Sequence, residues 1–458
     1  MRQPRNLLPW IPALLVLAVY LPALGASFQF DDWQVVLGDP RVASLGAWWQ
    51  GMPGMRALVK LSFALNHGWG AAVEVFRATN LLLHAVNASL VFVLARWLAR
   101  RLRTADAHDA NVVAAVTALV FALHPVQTES VTYIVGRSNE IAMLFCLLSL
   151  LAWLRGRERA AGWWWLPLSA LAFVAALAGK ETAAVLPLAM LLCLATEHRP
   201  TRRELAFPLG LSLLCIALFV LAWPYLPYDY LVRTSLETRG PLENLLVQAQ
   251  GITWLIGQLL RWDLLNADPM LRPVTVLTLP VLLQGGVLLA AIVVGVLGLR
   301  RWPAVAFGIL WFMLWLAPTN SMLARLDVAN DRQLYCALLG PAWLLGHGIV
   351  RMGRFNGFAV LLLAVLLAFG TATRNRVYAT ETTFWQDVVA KSPHNIRAWN
   401  NLGMAEAIAC RAQAARLAFG EALHRDRNSV QAEINLALLE RGELEGVPAT
   451  CAGQAAGR

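Results

Sequence analysis

Long apolar runs separated by short arginine-bearing loops make up this chain as far as about residue 378. The runs fall at about Leu7 to Gly25, Thr79 to Leu98, Ala110 to Leu123, Asn139 to Leu154, Trp163 to Ala178, Ala183 to Ala195, Leu205 to Trp223, Val276 to Leu299, Pro303 to Ala317, Gln333 to Val350 and Phe358 to Thr371. They are continuous rather than alternating, which predicts helices and not barrel strands. Crossing a hydrocarbon core near 30 Å takes about 20 residues, so several runs are short, but together they predict an all-α, polytopic helical membrane protein with about 11 transmembrane helices. Arg2, Arg5 and the closing Ala23-Leu24-Gly25 give the first run the look of a secretory signal. Its length predicts an uncleaved first span instead.

Asn244 to Trp262 is long enough to cross, but Gln248, Gln250, Thr253 and Gln258 make it half polar. A crossing there would put Arg300-Arg301 and the Arg351 to Arg354 loop outside, against the rule that basic loops stay inside. Laid along the surface, it leaves Arg2/Arg5, Arg96 to Arg103, Arg155 to Arg159, Arg199 to Arg203, Arg300/Arg301 and Arg351/Arg354 all inside. The surface arrangement is the expected one. It places Phe28 to Ala78, Pro125 to Ser138, Pro318 to Arg332 and everything after Thr371 on the outer side.

From about Thr380 the pattern becomes that of soluble helices. Trp399, Leu402, Gly403, Ala415, Phe419 and Ala422 fall on the frame of a 34-residue tetratricopeptide repeat, W-x2-L-G then A-x3-F-x2-A. Trp385 and Pro393 fit the end of a preceding repeat, and Leu436 and Ala437 the start of a following one. Glu406, Cys410 and Arg427 depart from the frame, and an ordinary helical hairpin is the alternative. One repeat and two halves fall short of the three or so that bury a continuous core, so the tail is expected to lean on the membrane domain or on a partner. The expected division is a membrane catalytic domain over 1–378, a tetratricopeptide-like helical domain over 379–446 and a disordered tail over 447–458.

Composition sharpens this in two ways. The 58% hydrophobic content fits a membrane protein, and the net charge of +10 is carried by arginines whose places follow topology and lipid headgroups, which excludes a nucleic-acid partner. Of six cysteines, Cys146, Cys193, Cys215 and Cys336 lie in apolar runs and Cys410 and Cys451 in the tail. None has metal-site spacing, and a structural disulfide is not expected.

The candidate chemistry starts at Phe30-Asp31-Asp32-Trp33, just past the first run. Adjacent carboxylates raise one another's pKa, and a low-dielectric slab worsens the cost, so a cation or a reaction is expected to use them. Arg137, Lys180 and Arg332 sit at outer ends of spans, placed either to neutralise phosphate or to snorkel to headgroups. Asn80, His84 and Asn87 form a polar stripe inside an apolar helix, a pattern that chiefly joins helices. His124 and Glu129 flank a loop where Pro125 ends a helix; they bind sugar hydroxyls or cap helices.

The segments Phe30-Asp31-Asp32, Asn80 to Asn87, Phe121 to Val131, Gly136-Arg137-Ser138-Asn139-Glu140, Lys180-Glu181-Thr182-Ala183 and Asp331-Arg332-Gln333-Leu334-Tyr335, with the tail repeats, together resemble the GT-C glycosyltransferases that carry tetratricopeptide repeats, the protein O-mannosyltransferase-like group. That resemblance implies transfer of mannose or a similar sugar from a polyprenyl-phosphate carrier to an acceptor, protein Ser/Thr hydroxyls first among them, on the extracytoplasmic face of a bacterial inner membrane. It implies Asp31 and Asp32 as catalytic acids, with Asp31 favoured as general base and Asp32 as partner of an arginine such as Arg137. Donor phosphate would meet Arg137, Lys180 and Arg332, and substrate would meet Arg56, His84, His124, Glu129, Glu140 and Glu181. An oxygen-only set would suit Mg²⁺ or Mn²⁺, but two carboxylates are too few to argue for an ion, and no metal ligand is assigned. The implied partners are the lipid-linked sugar, membrane lipids and an acceptor protein met through the tail. The chain departs from the group at Glu140, where Asp is usual, at Met55-Arg56-Ala57-Leu58, which lacks the usual Tyr and Pro, and at Arg77, where His is usual. A transferase acting on lipids or glycans and a lipid-sugar flippase are the alternatives, and charges crowded on one side rather than at the midplane speak against the flippase.

Overall fold

The computed structural model describes residues 7–52, 54–102, 106–158, 162–274, 276–448 and 451. Arg2, Arg5, Arg103, Arg159 and, in the expected disordered tail, 449–450 and 452–458 lie outside the described residues. Among the described residues there is no strand, and each of the eleven apolar runs carries helix.

The expected span count is too high. Five helices are long and apolar enough to cross a membrane alone, Val73–Arg101, Ile134–Gly156, Arg202–Tyr225, Leu279–Gly298 and Gly353–Val377, and the number reaches seven if each of two bent pairs is one span. Length is the reason: Leu8–Ala23, Trp165–Gly179 and Pro303–Leu316 are shorter apolar helices, and at about 1.5 Å per residue they fall short of a core about 30 Å thick. One bend, of 47°, separates His108–Leu123 from Pro125–Val131. His124 is extended there (φ −68°, ψ 130°), the conformation its proline neighbour favours. The other, of 57°, separates Asp331–Ala337 from Leu339–Val350. Both bends carry motif residues, so broken helices position the chemistry.

The half-polar segment is the Pro241–Leu260 helix, and it does not reach the apolarity of a span. Its polar side faces the protein: Asn244 donates to the Ser321 carbonyl at 2.7 Å, and Gln248 accepts from Asn320 at 2.7 Å. Leu242, Leu245 and Leu260 point outward. This inverted amphipathicity places the loop 318–330 against the helix.

Gly136, in the Gly-Arg-Ser-Asn-Glu segment, is explained by packing. A Cβ there would stand 2.6 Å from the Ser130 backbone, so only glycine lets the Thr128–Val131 turn lie on the start of the next helix.

The tail consists of the helices Glu381–Lys391, Ile396–Ile408, Ala412–Arg425 and Val430–Arg441, each packed on its chain neighbour. Thr380 and Asn395 cap the first two through backbone N–H groups of Thr383 and Ala398. The second and fourth helices begin at Ile396 and Val430, one repeat period apart. Gly403 is small because the Phe419 ring lies where its Cβ would be, at 2.5 Å. Glu406, which replaces an aromatic, is buried but accepts from Gln386 at 3.1 Å and pairs with Arg411.

The tail leans on the membrane domain. Arg397 donates to both Asp268 carboxylate oxygens through Nε and one Nη, at 2.9 and 2.5 Å, Asn395 donates to the Asp268 carbonyl at 2.9 Å, and Lys391 donates to the Leu265 carbonyl at 2.8 Å. One cysteine expectation is overturned: Cys410 and Cys451, with Cα atoms 5.2 Å apart, form a disulfide. Their 41-residue separation hid the pairing, because connectivity depends on the packing of the last helices and not on spacing.

Candidate functional site

The Asp31-Asp32 loop is held from three directions. Arg77, buried, donates through Nε to the Thr132 carbonyl at 3.0 Å and through its other nitrogens to the carbonyls of Leu24, Ala26 and Ser27, fixing the root of the loop. From the tail side, the Ala379 carbonyl accepts from the Ser27 N–H at 3.1 Å, the Tyr378 carbonyl accepts from Gln29 Nε2 at 3.0 Å, and Glu381 accepts from Trp33 Nε1 at 2.8 Å. Phe30 has a left-handed φ of 42°, which costs a non-glycine residue on the order of 1 kcal/mol or more. Its ring is pinned edge-on by Trp385 at 5.2 Å and covered by the Arg397 guanidinium. Tail and membrane domain therefore hold the strain together.

The two acids are not equivalent. Asp32 is completely buried; its Oδ2 accepts from the Gln29 N–H and its Oδ1 from the Val135 N–H, both at 3.0 Å. Burial pushes its carboxyl up to about 7, against the pull of those two N–H groups and of the Arg77 charge. Asp31 is only partly buried. Its N–H donates to the Tyr133 hydroxyl at 3.2 Å, and its carboxylate lies within the field of Arg332.

Arg332 belongs to a cluster of four cations. Arg332 lies 3.6 Å from Glu129 and over the Tyr133 ring. Lys180, at the C-terminal edge of the Trp165–Gly179 helix, donates to Asn139 Oδ1 at 2.5 Å. Burial first, then the charges of Arg56, Arg325 and Arg332, hold its ammonium down at about 7, with Glu181 opposing. Arg56 reaches Glu181 at 3.3 Å, and that charge holds the Glu181 carboxyl below its usual range despite burial. Arg56, Lys180, Arg325 and Arg332 thus share a field opposed by Asp31, Glu129, Glu181 and Asp327. Around Arg332, the buried atoms Glu129 Oε2, Asp331 Oδ1 and the side-chain amides of Asn330 and Gln333 find no hydrogen-bond partner among the described residues. Buried polar groups are seldom left so, and such a set marks room for water or ligand.

The remaining expected site residues lie elsewhere. Arg137 is completely buried and turned away from the cations: it donates to Asn80 at 2.6 Å, Asn66 at 2.7 Å, Ser62 at 3.0 Å and the Phe76 carbonyl at 2.6 Å, under the Phe63 ring. A guanidinium so occupied has no fork left for phosphate, and the arginine that clamps the Asp32 loop is Arg77. His84 uses both ring nitrogens within the fold, against the Tyr335 hydroxyl at 2.9 Å and the Ala122 carbonyl at 3.0 Å. His124 bonds the Leu259 carbonyl at 3.1 Å and accepts from the Val126 N–H. Glu140 is buried with neither carboxyl oxygen partnered. Arg77, Tyr133 and Arg325 were missed, although the departure at Arg77 was the available signal for the first. Among the described residues no three His, Cys, Asp or Glu side chains gather as metal ligands.

A buried acid, a partly exposed acid and a cation cluster lie together at one rim of a helical membrane protein. No protein-family model matches the chain. It is similar to Protein O-mannosyl-transferase Tmtc2 of Drosophila melanogaster, 36% identical over 203 residues, covering 39% of this chain and 20% of that protein. Protein O-mannosyl-transferase Tmtc1 of the same organism is 32% identical over 216 residues, 42% of this chain and 23% of that protein, and the human Protein O-mannosyl-transferase TMTC2 is 30% identical over 161 residues, 32% and 18%. The match thus spans about a fifth of these relatives' length. The resemblance drawn from the motifs, to the O-mannosyltransferase-like group, holds.

Proposed function

We propose that this chain is a membrane glycosyltransferase that moves mannose or a similar sugar from a polyprenyl-phosphate carrier to a protein Ser/Thr hydroxyl on the extracytoplasmic face. The observation that carries this reading is the juxtaposition of the partly exposed Asp31 with the Arg56, Lys180, Arg325 and Arg332 field. Two cations in that field are already opposed by carboxylates, Arg332 by Glu129 and Arg56 by Glu181. Glu181 also acts on Lys180 and Arg325, and Asp327 on Arg325 and Arg332; cations gathered so closely suit a phosphate that gains charge as it leaves.

In the reaction, the acceptor hydroxyl oxygen bonds to the anomeric carbon as the carbon–oxygen bond to phosphate breaks; Asp31 takes the hydroxyl proton, and the lipid phosphate departs against the cations. Asp32 is the positioning residue, since its two accepted N–H groups fix the loop that presents Asp31. Arg137 and His84 build the helix bundle beneath. The relatives' printed names, O-mannosyl-transferase, support the reaction class and the protein acceptor. The tail and the Asp loop share a face, and a disulfide in the tail fits an oxidising compartment. The test is purified chain with a polyprenyl-phosphate mannose and a Ser/Thr-rich peptide, read by the mass of the peptide. Mannosylated peptide from the wild-type chain and none from Asp31→Asn is expected; equal product from both would overturn the assignment.

A further inference from the structure

At the end of the Val73–Arg101 helix opposite the candidate site, Val93, Arg96, Trp97, Arg100 and Arg101 recur at spacings of three and four and share one face. That face and Pro9 line a cavity of about 510 Å³. At a rise of about 1.5 Å per residue, Arg96 lies about 24 Å along the helix from Asn80, close to one hydrocarbon thickness from the Asp loop. Other arginines at this end are matched: Arg101 to Glu197 at 3.1 Å, Arg157 to Glu197 and Glu204, and Arg155 to Glu158. Among the described residues no carboxylate lies within ion-pair distance of Arg96 or Arg100. The second observation is a groove of about 540 Å³ between this helix and the Arg137–Gly156 and Trp165–Gly179 helices, lined almost wholly by apolar side chains such as Phe145, Leu148, Leu168 and Leu171. Cavity and groove share Val93 and Trp97, so they form one continuous depression, cationic at one end and apolar along the other.

We propose that this depression binds one anionic phospholipid of the membrane leaflet opposite the candidate site, with its phosphate on Arg96 and Arg100 and an acyl chain in the groove. Charge complementarity selects an anion, because two unmatched guanidiniums facing a shared cavity repel each other until a phosphate lies between them. Continuity with the apolar groove selects a lipid over a soluble anion. Trp97, where the two meet, has the amphipathic ring favoured at the headgroup level.

The test uses the full chain purified in detergent and titrated with phosphatidylglycerol, phosphatidylcholine or inorganic phosphate, with thermal unfolding and native mass spectrometry as readouts. Phosphatidylglycerol is expected to bind at least about tenfold more tightly than phosphatidylcholine, and Arg96→Gln/Arg100→Gln to weaken it about 25-fold, near fivefold per arginine. Leu168→Trp, which fills the groove, is expected to weaken the lipid as well, and Arg300→Ala/Arg301→Ala, another basic pair of the same leaflet outside the cavity, to change nothing. Equal binding of the two lipids, equal loss in the Arg300/Arg301 control, or stabilisation by inorganic phosphate as strong as by phosphatidylglycerol would each overturn the proposal. Should the double glutamine variant not fold, Leu168→Trp decides alone: undiminished phosphatidylglycerol binding by it overturns the site.

Discussion

Two polar regions lie under one rim of this molecule, and they are built oppositely. In the buried stripe, Arg137, Asn80, His84, Asn87 and Tyr335 answer one another: Arg137 is met by four acceptors, His84 by two partners, and Asn87 donates to the Glu140 carbonyl and to the Tyr335 hydroxyl. At the rim, Arg56, Lys180, Arg325 and Arg332 meet Asp31, Glu129, Glu181 and Asp327, and one buried oxygen each of Glu129 and Asp331 has no hydrogen-bond partner among the described residues. The stripe encloses its arginine wholly within the fold, though Asn87 Oδ1 and both Glu140 carboxyl oxygens find no hydrogen-bond partner there among the described residues, whereas the rim keeps Arg56 exposed and Asp31 partly exposed. Residue type does not separate the two, since both contain arginine and carboxylate; what each arginine already meets, and whether it reaches the surface, does.

The sharpest way to break the comparison is at the acids. Asp31→Asn keeps the side chain's shape and removes the proton acceptor, so transfer by purified protein is expected to fall at least about 10²-fold with unfolding temperature unchanged. Asp32→Asn should lower transfer too, by a different route: an amide has one oxygen where Asp32 uses two, so either the Gln29 or the Val135 N–H loses its acceptor. A hydrogen–deuterium exchange increase confined to residues 27–35 would mark that role. Near-wild-type transfer by both variants would remove both the catalytic and the positioning role.

The same comparison shows what the sequence could tell. Helix was legible because the apolar runs are long and unbroken, and the docking of the tail followed from its having too few repeats to bury a core. Span number was not legible, since the apolar runs at Leu8–Ala23, Trp165–Gly179 and Pro303–Leu316 form helices too short to cross and nothing in the sequence before Leu339 marks the bend there. The site was legible as a set of motifs but not as roles. Arg137 and Lys180 look alike at the ends of spans, and only packing shows that one lies under the Phe63 ring, enclosed by Asn66, Asn80 and Ser62, while the other faces further cations. Arg325 and Tyr133 carried no motif at all. The Cys410–Cys451 bond depends on how the last helices return, which no local pattern encodes.

Next in size come substitutions that set the two regions against each other. Lys180→Ala and Arg325→Ala are expected to raise the donor KM about tenfold or more with unfolding temperature little changed, since hydrogen bonds to charged groups contribute about 1.5 to 3 kcal/mol. Arg137→Ala should do the reverse. It strands Asn80, Asn66 and the Phe76 carbonyl without their donor and should destabilise the bundle by about 3 kcal/mol, while properly folded molecules retain their donor KM. A donor-specific defect in Arg137→Ala with normal stability would merge the two regions and remove the distinction.

A smaller effect sharpens the rim alone. Asp32, held up near 7, loses its charge as pH falls through that value, and the protonated carboxyl no longer accepts from both N–H groups; transfer should therefore decline on the acid side. Lys180, held down near 7, loses its charge as pH rises through the same value. Donor KM should then climb by up to about tenfold per pH unit on the alkaline side until the bound phosphate restores the proton. Lys180→Arg keeps the cation at every working pH and should flatten the alkaline limb only. An alkaline limb unchanged in that variant would assign it to another group.

The smallest expected effect on transfer tests whether the tail belongs to the rim or only borders it. The bond between Cys410 and Cys451 ties the turn after the Ile396–Ile408 helix to Cys451 and shares no residue with the seam, which is held by Trp33–Glu381, Phe30–Trp385 and Arg397–Asp268. Cys410→Ser should therefore leave transfer within about twofold of wild type. It should instead speed proteolysis after Arg441, because opening a closed 41-residue loop frees the last segment and removes on the order of 3 kcal/mol or more of unfolded-state constraint. Arg397→Ala, by contrast, uncovers the Phe30 ring and releases the grip on Asp268, so it should slow transfer several-fold without touching the disulfide. Alkylation of intact cells adds the orientation: both thiols blocked until a reductant is added is the expected result for an outer, oxidised tail, while free labelling only after permeabilisation would put tail and rim in the cytoplasm.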